Sequence, residues 1–261
     1  MSAIELNHVK FFYHDHGRNE QVLENINVTI REGEFVCILG RSGCGKSTLL
    51  KLIAGLQLPQ CGEIRMNGTP VLGPDTDRAV VFQNDTLFPW MTARKNVWFG
   101  IQQARKEMSK TDAQRLAAKY LDLVGMAESA DKYPFQLSGG MQQRVAIARA
   151  LAMDTDILLL DEPFGALDAR NRRELQQLLE RLWSGAQKRK TVIFVTHDIA
   201  EAALLADRIL YMTPGQIAAD ICVDLPRPRG EQGEQLKTLK RQLLELFYGD
   251  GEMEIDDETG V

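Results

Sequence analysis

The sequence feature that most limits what this chain can fold into is a glycine-rich loop directly after a short apolar run. Residues 40–48 read Gly-Arg-Ser-Gly-Cys-Gly-Lys-Ser-Thr and follow the run Phe35–Leu39. The pattern G-x-x-x-x-G-K-[ST] is typical of a phosphate-binding loop between a buried strand and a helix. Glycines let the backbone fold around an anion, and the start of the helix presents free N–H groups. A glycine turn without a ligand is disfavoured, because an apolar helical pattern follows at once.

The residue types within this loop predict separate roles. Lys46 can reach the β- and γ-phosphates, and the hydroxyl of Ser47 can bind Mg2+. Elsewhere in the loop the backbone matters more than the side chains, so Cys44 is expected to be a small filler. The residues predicted to bind the phosphates are Gly40, Ser42, Gly43, Cys44, Gly45, Lys46, Ser47 and Thr48.

Composition narrows the classes of function. The 261 residues are 44% hydrophobic, which allows one large domain or a core with an inserted subdomain. The net charge of -5 argues against an electrostatic grip on nucleic acid, so no such partner is expected. No apolar run approaches the roughly 18 residues that span a bilayer, and the first residues lack a signal-peptide pattern. We therefore expect a soluble chain. Its four cysteines have no metal-ligand spacing, so we expect them to be reduced thiols of a cytosolic protein.

Four apolar runs predict an α/β fold, with a mostly parallel sheet covered by helices on both faces. A polar group follows each run, and ligands of such sheets bind beyond the carboxyl ends of the strands. The sequence therefore predicts four chemical groups on one edge of the sheet. The runs are Phe35–Leu39, Ala79–Phe82, Ile157–Leu160 and Val192–Thr196, and the groups are the glycine loop, Gln83, Asp161 and His197.

The remaining segments predict three further parts of the molecule. Alternation of apolar and polar residues over Ile4–Ile30 predicts an antiparallel β layer. Between Gln83 and Leu137 the pattern is helical, with a capping box at Thr111 and Gln114 and a helix stop at Gly125. We predict a core with the β layer at 1–85 and 151–225, a helical subdomain at 86–150, and a C-terminal helix with an acidic tail at 226–261. The helix carries a stripe that either packs on its own domain, which is favoured, or binds a partner: Leu236, Leu239, Leu243 and Phe247.

Two stretches supply candidate catalytic and binding groups. Ser138, Gly139 and Gly140 open a strong helix pattern, which offers a hydroxyl and free N–H groups to an anion. Alone, such a stretch is more often a loop with a helix cap, but the acidic strand end close behind it favours the anion site. There Asp161 is placed to hold Mg2+, and Glu162 can polarise a water that attacks the γ-phosphate. A solvated turn is the disfavoured alternative, because four aliphatic residues precede the pair.

Together these motifs resemble the ATP-binding subunits of ATP-binding cassette (ABC) transporters. The resemblance covers Ile4 to about Leu225 and rests on the motifs in family order. It implies a P-loop NTPase fold, ATP and Mg2+ as cofactors, and a head-to-tail dimer that clamps two ATP molecules. The motifs are Gly40–Ser47, Val81-Phe82-Gln83, Leu137–Gln142, Ile157–Pro163, Gly165–Asp168 and Val195–Asp198.

The resemblance also implies roles for single residues. Ser138, Gly139 and Gly140 would hold the γ-phosphate of the ATP bound mainly by the opposite subunit. Gln83 would contact Mg2+ and the attacking water. His197 would hydrogen-bond the γ-phosphate, and Asp168 would lie at the dimer interface. An aromatic residue near the N-terminus would stack on adenine, for which Tyr13 fits best and Phe12 is the alternative.

Among proteins with this ATPase, a separate cassette subunit of a bacterial importer fits best. The chain has one cassette, no zinc-ligand or coiled-coil insertion, and no fused membrane helices. The apolar cluster Leu87–Thr92 is either a groove for a membrane partner or part of the helical core. The stretches Asn96-Val97 and Leu225–Arg229 are similar to the nitrate, sulfonate and taurine importer group, which predicts a small anion as solute.

The implied partners are a second ATP-binding subunit, integral membrane permease subunits, and a periplasmic or lipid-anchored solute-binding protein. The second ATP-binding subunit would be an identical copy or a close paralogue. The expected location is peripheral, on the cytoplasmic face of the bacterial inner membrane. The alternative is a soluble ABC ATPase that acts in assembly or regulation without a membrane partner.

Overall fold

A computed structural model shows two β-sheets and seven α-helices among the described residues, which are 2–15, 18–83, 87–165, 167–185, 189–229 and 233–249. The predicted acidic tail and Ala166 of the predicted Gly165–Asp168 turn lie outside these ranges. Within them, no helix is long and apolar enough to cross a bilayer.

The larger sheet has six strands in the order β10-β9-β3-β8-β7-β6, and only β10 is antiparallel to its neighbour. It contains the four predicted strands, with bounds within one residue of the prediction. Its strands are β3 (Phe35–Leu39), β6 (Arg78–Val81), β7 (Ile157–Asp161), β8 (Thr191–Thr196), β9 (Arg208–Thr213) and β10 (Gln216–Cys222).

The smaller sheet is the predicted antiparallel β layer, in the order β2-β1-β4-β5. It comprises β1 (Ser2–Asp15), β2 (Arg18–Arg31), β4 (Cys61–Met66) and β5 (Thr69–Pro70). Helix α1 (Lys46–Ile53) shares a buried core with this layer and with one face of the larger sheet. Alternate residues of β3 supply opposite faces: Val36 and Ile38 join this core, whereas Phe35 and Leu39 join the core with the other helices. The predicted α/β P-loop NTPase fold is thus confirmed.

Helices α2 (Ala93–Ala104), α3 (Lys110–Leu123) and α4 (Gly139–Met153) occupy the stretch predicted as a helical subdomain. Helix α4 continues past the predicted boundary at residue 150, and the division into domains stays a prediction. The predicted capping box at Thr111 and Gln114 is wrong, because α3 begins earlier: the Ser109 hydroxyl accepts from the N–H of Asp112 at 3.1 Å. Gly125 follows the helix with φ +71°, as expected of a stop.

Helices α5 (Ala169–Ser184), α6 (Ile199–Leu205) and α7 (Glu234–Tyr248) complete the chain. The three leucines of the α7 stripe are buried in the main core, with Phe247 packed against it, so the favoured packing of this helix on its own domain is confirmed.

The segment before α7 is also tied to the core. The buried Arg229 donates to the backbone oxygens of Ala203 (3.1 Å) and Leu204 (3.3 Å) at the end of α6. Arg227 pairs with Asp207 at 2.9 Å. Burial, and the neighbouring Arg227, lower the pKa of Arg229 to about 10. Arg227, Arg229 and α7 are therefore part of the packed fold.

Candidate active site

The glycine loop after β3 is folded tightly against the sheet. A Cβ at Gly40 would lie 2.3 Å from the backbone oxygen of Met212, so only glycine fits this approach. Gly45 has φ +106°, which side chains other than glycine rarely adopt. The buried Lys46 ammonium donates to the backbone oxygens of Gly40 (2.8 Å) and Arg41 (3.0 Å). The loop is therefore held in one conformation before any ligand binds, and the Lys46 ammonium lies against its backbone.

Ser47 and Asp161 bring two oxygen ligands together where the loop meets the end of β7. The Ser47 hydroxyl donates to Oδ1 of Asp161 at 3.0 Å. Burial raises the pKa of Asp161, and the nearby Glu162 raises it further, against the hydrogen bond from Ser47. A divalent cation beside this carboxylate would favour its ionised form and prefers such oxygen donors. Among the described residues no group of three or more His, Cys, Asp or Glu could hold a metal ion.

Glu162 contacts the other two predicted catalytic groups, Gln83 and His197. Its φ of +44° is unusual for a residue with a side chain, and its N–H donates to Val195 O of β8 at 3.0 Å. Nε2 of Gln83 donates to Oε2 of Glu162 at 3.2 Å, and Nδ1 of His197 lies 3.2 Å from the same oxygen. The ends of β6, β7 and β8 thus bring amide, carboxylate and imidazole together.

A cavity of about 510 Å³ lies over the glycine loop, a size that suits a small ligand. The hydroxyl of Tyr13 is 3.3 Å from Oγ1 of Thr48, and its ring packs edge-on against the buried Phe11 at 5.0 Å. Sequence reasoning missed Glu20 and Val22, which reach the cavity because β2 pairs with β1 and carry no motif signal of their own. The cavity is lined by Tyr13, Glu20, Val22, Ser42, Gly43, Gly45, Lys46, Ser47, Thr48, Gln83 and Glu162.

Two predicted phosphate-loop residues do not line this cavity. Gly40 lies behind it, against Met212, and Cys44 is buried in the core shared with the β layer. Burial raises the pKa of the Cys44 thiol, in agreement with its predicted role as a filler. Any contact of these two residues with phosphate would use their backbone.

The Ser138–Gly140 turn stands apart from the glycine loop, because none of its three residues lines the cavity. The Ser138 hydroxyl accepts from the N–H of Met141 at 3.3 Å and so caps α4. Ser138 and Gly139 are exposed, and a Cβ at Gly139 would meet nothing within 4 Å. The turn is an outward-facing helix start with free N–H groups.

Asp168 is likewise exposed and begins a helix. Its carboxylate accepts from the N–H of Asn171 at 3.0 Å and also from the Asn171 side-chain amide. These hydrogen bonds from Asn171 lower the pKa of Asp168. The residue therefore presents a fixed negative charge at the molecular surface.

The apolar loop Leu87–Thr92 divides into buried and exposed residues, so part of it belongs to the helical core, and the groove for a membrane partner stays a prediction. Leu87 is buried, and Phe88 packs against Phe99 with ring centroids 5.0 Å apart, whereas the Trp90 side chain is 69% exposed. The buried Asn96 fixes the loop by accepting from Phe88 N at 2.8 Å and donating to three backbone oxygens, those of Phe88, Met91 and Thr92. The loop is thus a rigid platform that displays one large aromatic side chain.

The chain is similar to known ATP-binding proteins. A family profile described as ABC transporter matches residues 23–165. The nitrate import ATP-binding protein NrtD of Synechococcus elongatus is 45% identical over 233 residues, which are 87% of this chain and 84% of that protein. The bicarbonate transport ATP-binding protein CmpD of the same organism is 44% identical over 234 residues, with the same shares covered.

A solved structure extends the similarity to three dimensions. The dimeric ATP-binding cassette MJ0796, in a post-hydrolysis state bound to ADP and Pi, is 36% identical with a TM-score of 0.77. The match covers 87% of this chain and 99% of that one. With a phosphate loop, an acidic strand end and a histidine at one edge of the sheet, this chain belongs to the ABC transporter family and is an ATP-hydrolysing cassette.

Proposed function

We propose that this chain is the ATP-hydrolysing subunit of an importer for a small anion of the nitrate, sulfonate or taurine type. Support comes from two relatives of about 45% identity whose names give nitrate import and bicarbonate transport. The observation that carries the ATPase part of the proposal is the division of the site: the groups for hydrolysis lie on one edge of the sheet, whereas the Ser138–Gly140 turn faces outward. A second ATP-binding subunit would unite the two halves.

In this proposal the cavity over the glycine loop binds ATP. Tyr13 stacks on adenine, and the backbone N–H groups of residues 42–48 surround the phosphates. Lys46 leaves its two carbonyl partners, or shares them, to bind the terminal phosphates. A charge-assisted hydrogen bond of this type is stronger than a neutral one.

Ser47 and Asp161 would hold Mg2+, with Gln83 completing the protein ligands. When bound, the cation would neutralise charge on the phosphates as the terminal group is transferred to water. The 3.0 Å contact between the Ser47 hydroxyl and the Asp161 carboxylate supports this assignment, since both oxygens already converge.

Glu162 would act as the general base. Its carboxylate accepts a proton from the attacking water, Gln83 orients that water through its amide, and His197 donates a hydrogen bond to the γ-phosphate. The 3.2 Å contacts of Gln83 and His197 with Glu162 support a shared task at one point. The products would be ADP and inorganic phosphate.

The second subunit, an identical copy or a close paralogue, would contribute Ser138, Gly139 and Gly140 to the γ-phosphate, with Asp168 at the interface. Closure of this dimer on ATP would turn the permease subunits, and hydrolysis would reset them. A separate solute-binding protein would deliver the anion, and the cassette would sit on the cytoplasmic face of the bacterial inner membrane. Trp90 is 69% exposed on a loop that Asn96 fixes, and we assign it to the contact with the membrane partner.

Co-purification from detergent tests the membrane partner. The tagged full chain should retain a multi-span membrane protein, and Trp90→Ala should lose it. Leu72→Ala is the matched control, since Leu72 is also exposed but lies in another part of the chain. Recovery of the chain with soluble proteins only would support the alternative, an ATPase that acts in assembly or regulation.

A further inference from the structure

A network of buried and partly buried polar side chains lies next to His197 and reaches the backbone of Leu167, close to Asp168. We propose that Glu201 and Arg172 are positioning residues for ATP hydrolysis, which fix the turn that carries His197 relative to the turn that carries Asp168. This inference rests on the proposed role of His197 and adds two residues that no sequence motif singled out.

Glu201 fixes both neighbours of His197. The hydroxyl of Thr196 donates to Oε2 of Glu201 at 2.7 Å, and the same hydroxyl accepts from the N–H of Asp198 at 3.0 Å. His197 lies between these two residues, so its backbone is held on both sides by one hydroxyl. The direction of that hydroxyl depends on Glu201.

Helix α6 closes the turn from its other end. The Asp198 carboxylate accepts from the N–H groups of Ala200 (2.7 Å) and Glu201 (3.1 Å), which caps the helix. Glu201 is therefore placed by the same turn that it stabilises. A loop closed by two such bonds has few alternative conformations, as a positioned imidazole requires.

Arg172 joins this turn to the backbone of Leu167, next to Asp168. From α5 its Nη2 donates to the backbone oxygen of Leu167 at 3.3 Å. Its Nη1 lies 3.7 Å from Oδ2 of Asp198, and its Nε lies 3.9 Å from Oε1 of Glu201. The guanidinium thus stands between a carbonyl of one turn and two carboxylates of the other.

Burial makes Glu201 costly to the fold. Its side chain is 7% exposed, and Gln176 of α5 donates to it at 3.2 Å. Burial raises the pKa of Glu201 to about 7, and the negative charge of Asp198, which caps α6, raises it further. Hydrogen bonds from Thr196 and Gln176 and the positive charge of Arg172 lower it. The buried Cys37 of β3 also interacts electrostatically with Glu201. An apolar residue at this position would avoid the cost of burying a carboxylate. We therefore explain the presence of Glu201 by the groups that it positions rather than by a gain in stability.

A small cavity connects the network to the reacting groups. Its volume is about 80 Å³, and its lining includes Glu162 and His197 together with Arg172 and Glu201. A shift of either positioning residue would therefore be felt at the proposed general base and the histidine.

The test is steady-state ATP hydrolysis by full-chain variants. Glu201→Ala and Thr196→Val should lower kcat about tenfold and leave KM for ATP nearly unchanged, because a small misplacement of a catalytic group slows the reaction whereas the phosphate loop is untouched. Thr196→Ser keeps the hydroxyl and should restore the rate. Glu180→Ala is the control: it removes a different buried carboxylate, which lies on α5 and pairs with Arg227 at 3.4 Å. This variant should lower thermal stability without changing kcat.

Each outcome decides a separate question. Folded Glu201→Ala and Thr196→Val proteins with normal kcat would overturn the inference, as would an equal loss in Glu180→Ala. If Glu201→Ala fails to fold, Thr196→Val carries the test, because it replaces the hydroxyl with a methyl group and keeps the shape of the side chain. His197→Ala is measured beside them: a normal rate there would overturn the proposed role of His197, whereas a slow His197→Ala with a normal Thr196→Val would overturn only the positioning network.

Discussion

The glycine loop and the Ser138–Gly140 turn are both helix starts rich in glycine, yet they are built in opposite ways. The glycine loop is buried against the sheet, and its lysine reaches back to two carbonyls of its own loop. The other turn is exposed, and its serine hydroxyl caps its own helix. The cavity over the glycine loop is lined by residues of β1 and β2 and by residues that follow β6 and β7, whereas a Cβ at Gly139 would meet nothing within 4 Å.

Anion-binding geometry and a complete site are therefore separate properties. N–H groups at a helix start attract a phosphate wherever they lie. Beside the glycine loop, the Glu162 carboxylate and the Gln83 amide line one cavity, and the His197 imidazole contacts that carboxylate. The exposed turn can act on ATP only when another molecule supplies the rest, which is what the proposed dimer does.

Glu162→Gln gives the largest expected effect and tests the complete half. The variant should lose about 10²- to 10³-fold in kcat, because an amide cannot accept the proton of the attacking water. ATP binding and ATP-driven dimerisation should persist. Phosphate release and gel filtration with ATP measure the two properties. Glu128→Gln changes an exposed acid in the same way and should behave as wild type; a normal rate in Glu162→Gln would exclude it as general base.

Lys46→Ala tests whether the buried ammonium serves the ligand or only the loop. The dissociation constant for ATP should rise about 10- to 100-fold, the equivalent of a lost charge-assisted hydrogen bond of about 1.5–3 kcal/mol. Titration of the monomer with a fluorescent ATP analogue measures it. Lys95→Ala removes an exposed lysine and should leave the constant unchanged. Unchanged affinity in Lys46→Ala would mean that the lysine only supports its loop.

The contrast between the two regions also explains what the sequence could predict. Strands such as Phe35–Leu39 and Ile157–Asp161 are buried on both faces, so they appear as continuous apolar runs, and the chemistry follows in the next residue. The start of α3 is harder to predict from the sequence, because Ser109 and Thr111 can both cap a helix. The choice depends on where the backbone leaves the extended conformation, and Ser109 is still extended at ψ 151°.

Contacts between distant elements left no signal in the sequence. Glu201 and Arg172 belong to different helices, and their neighbourhood arises only when α5 and α6 pack on the sheet. Arg229 follows a proline-rich stretch typical of a linker, yet it is buried against the end of α6. Local patterns describe elements and loops, whereas such polar pairs depend on the tertiary arrangement.

Gly139→Ala separates the exposed turn from the rest of the fold. A Cβ there meets nothing in this chain, and alanine favours a helix, so stability should be unchanged or slightly higher. Turnover should still fall, by about tenfold, because the methyl group would displace a phosphate clamped from a second subunit. Monomer affinity for ATP should stay constant. Gly73→Ala, also in open space, is the control, and normal turnover in Gly139→Ala would argue against a phosphate packed on this turn.

Substitutions at Ser138 separate its two roles, and Ser138→Ala gives the smallest expected effect of all. Ser138→Ala should lose about 1 kcal/mol of unfolding free energy, because the N–H of Met141 loses its acceptor. Ser138→Asp keeps an acceptor and should unfold at the wild-type temperature, yet its charge would repel a phosphate from the second subunit, so ATP-driven dimerisation should be lost. Thermal unfolding and gel filtration with ATP distinguish these outcomes. An Asp variant that still dimerises would show that Ser138 serves its own helix alone, and the contrast between the two regions would then extend to their function.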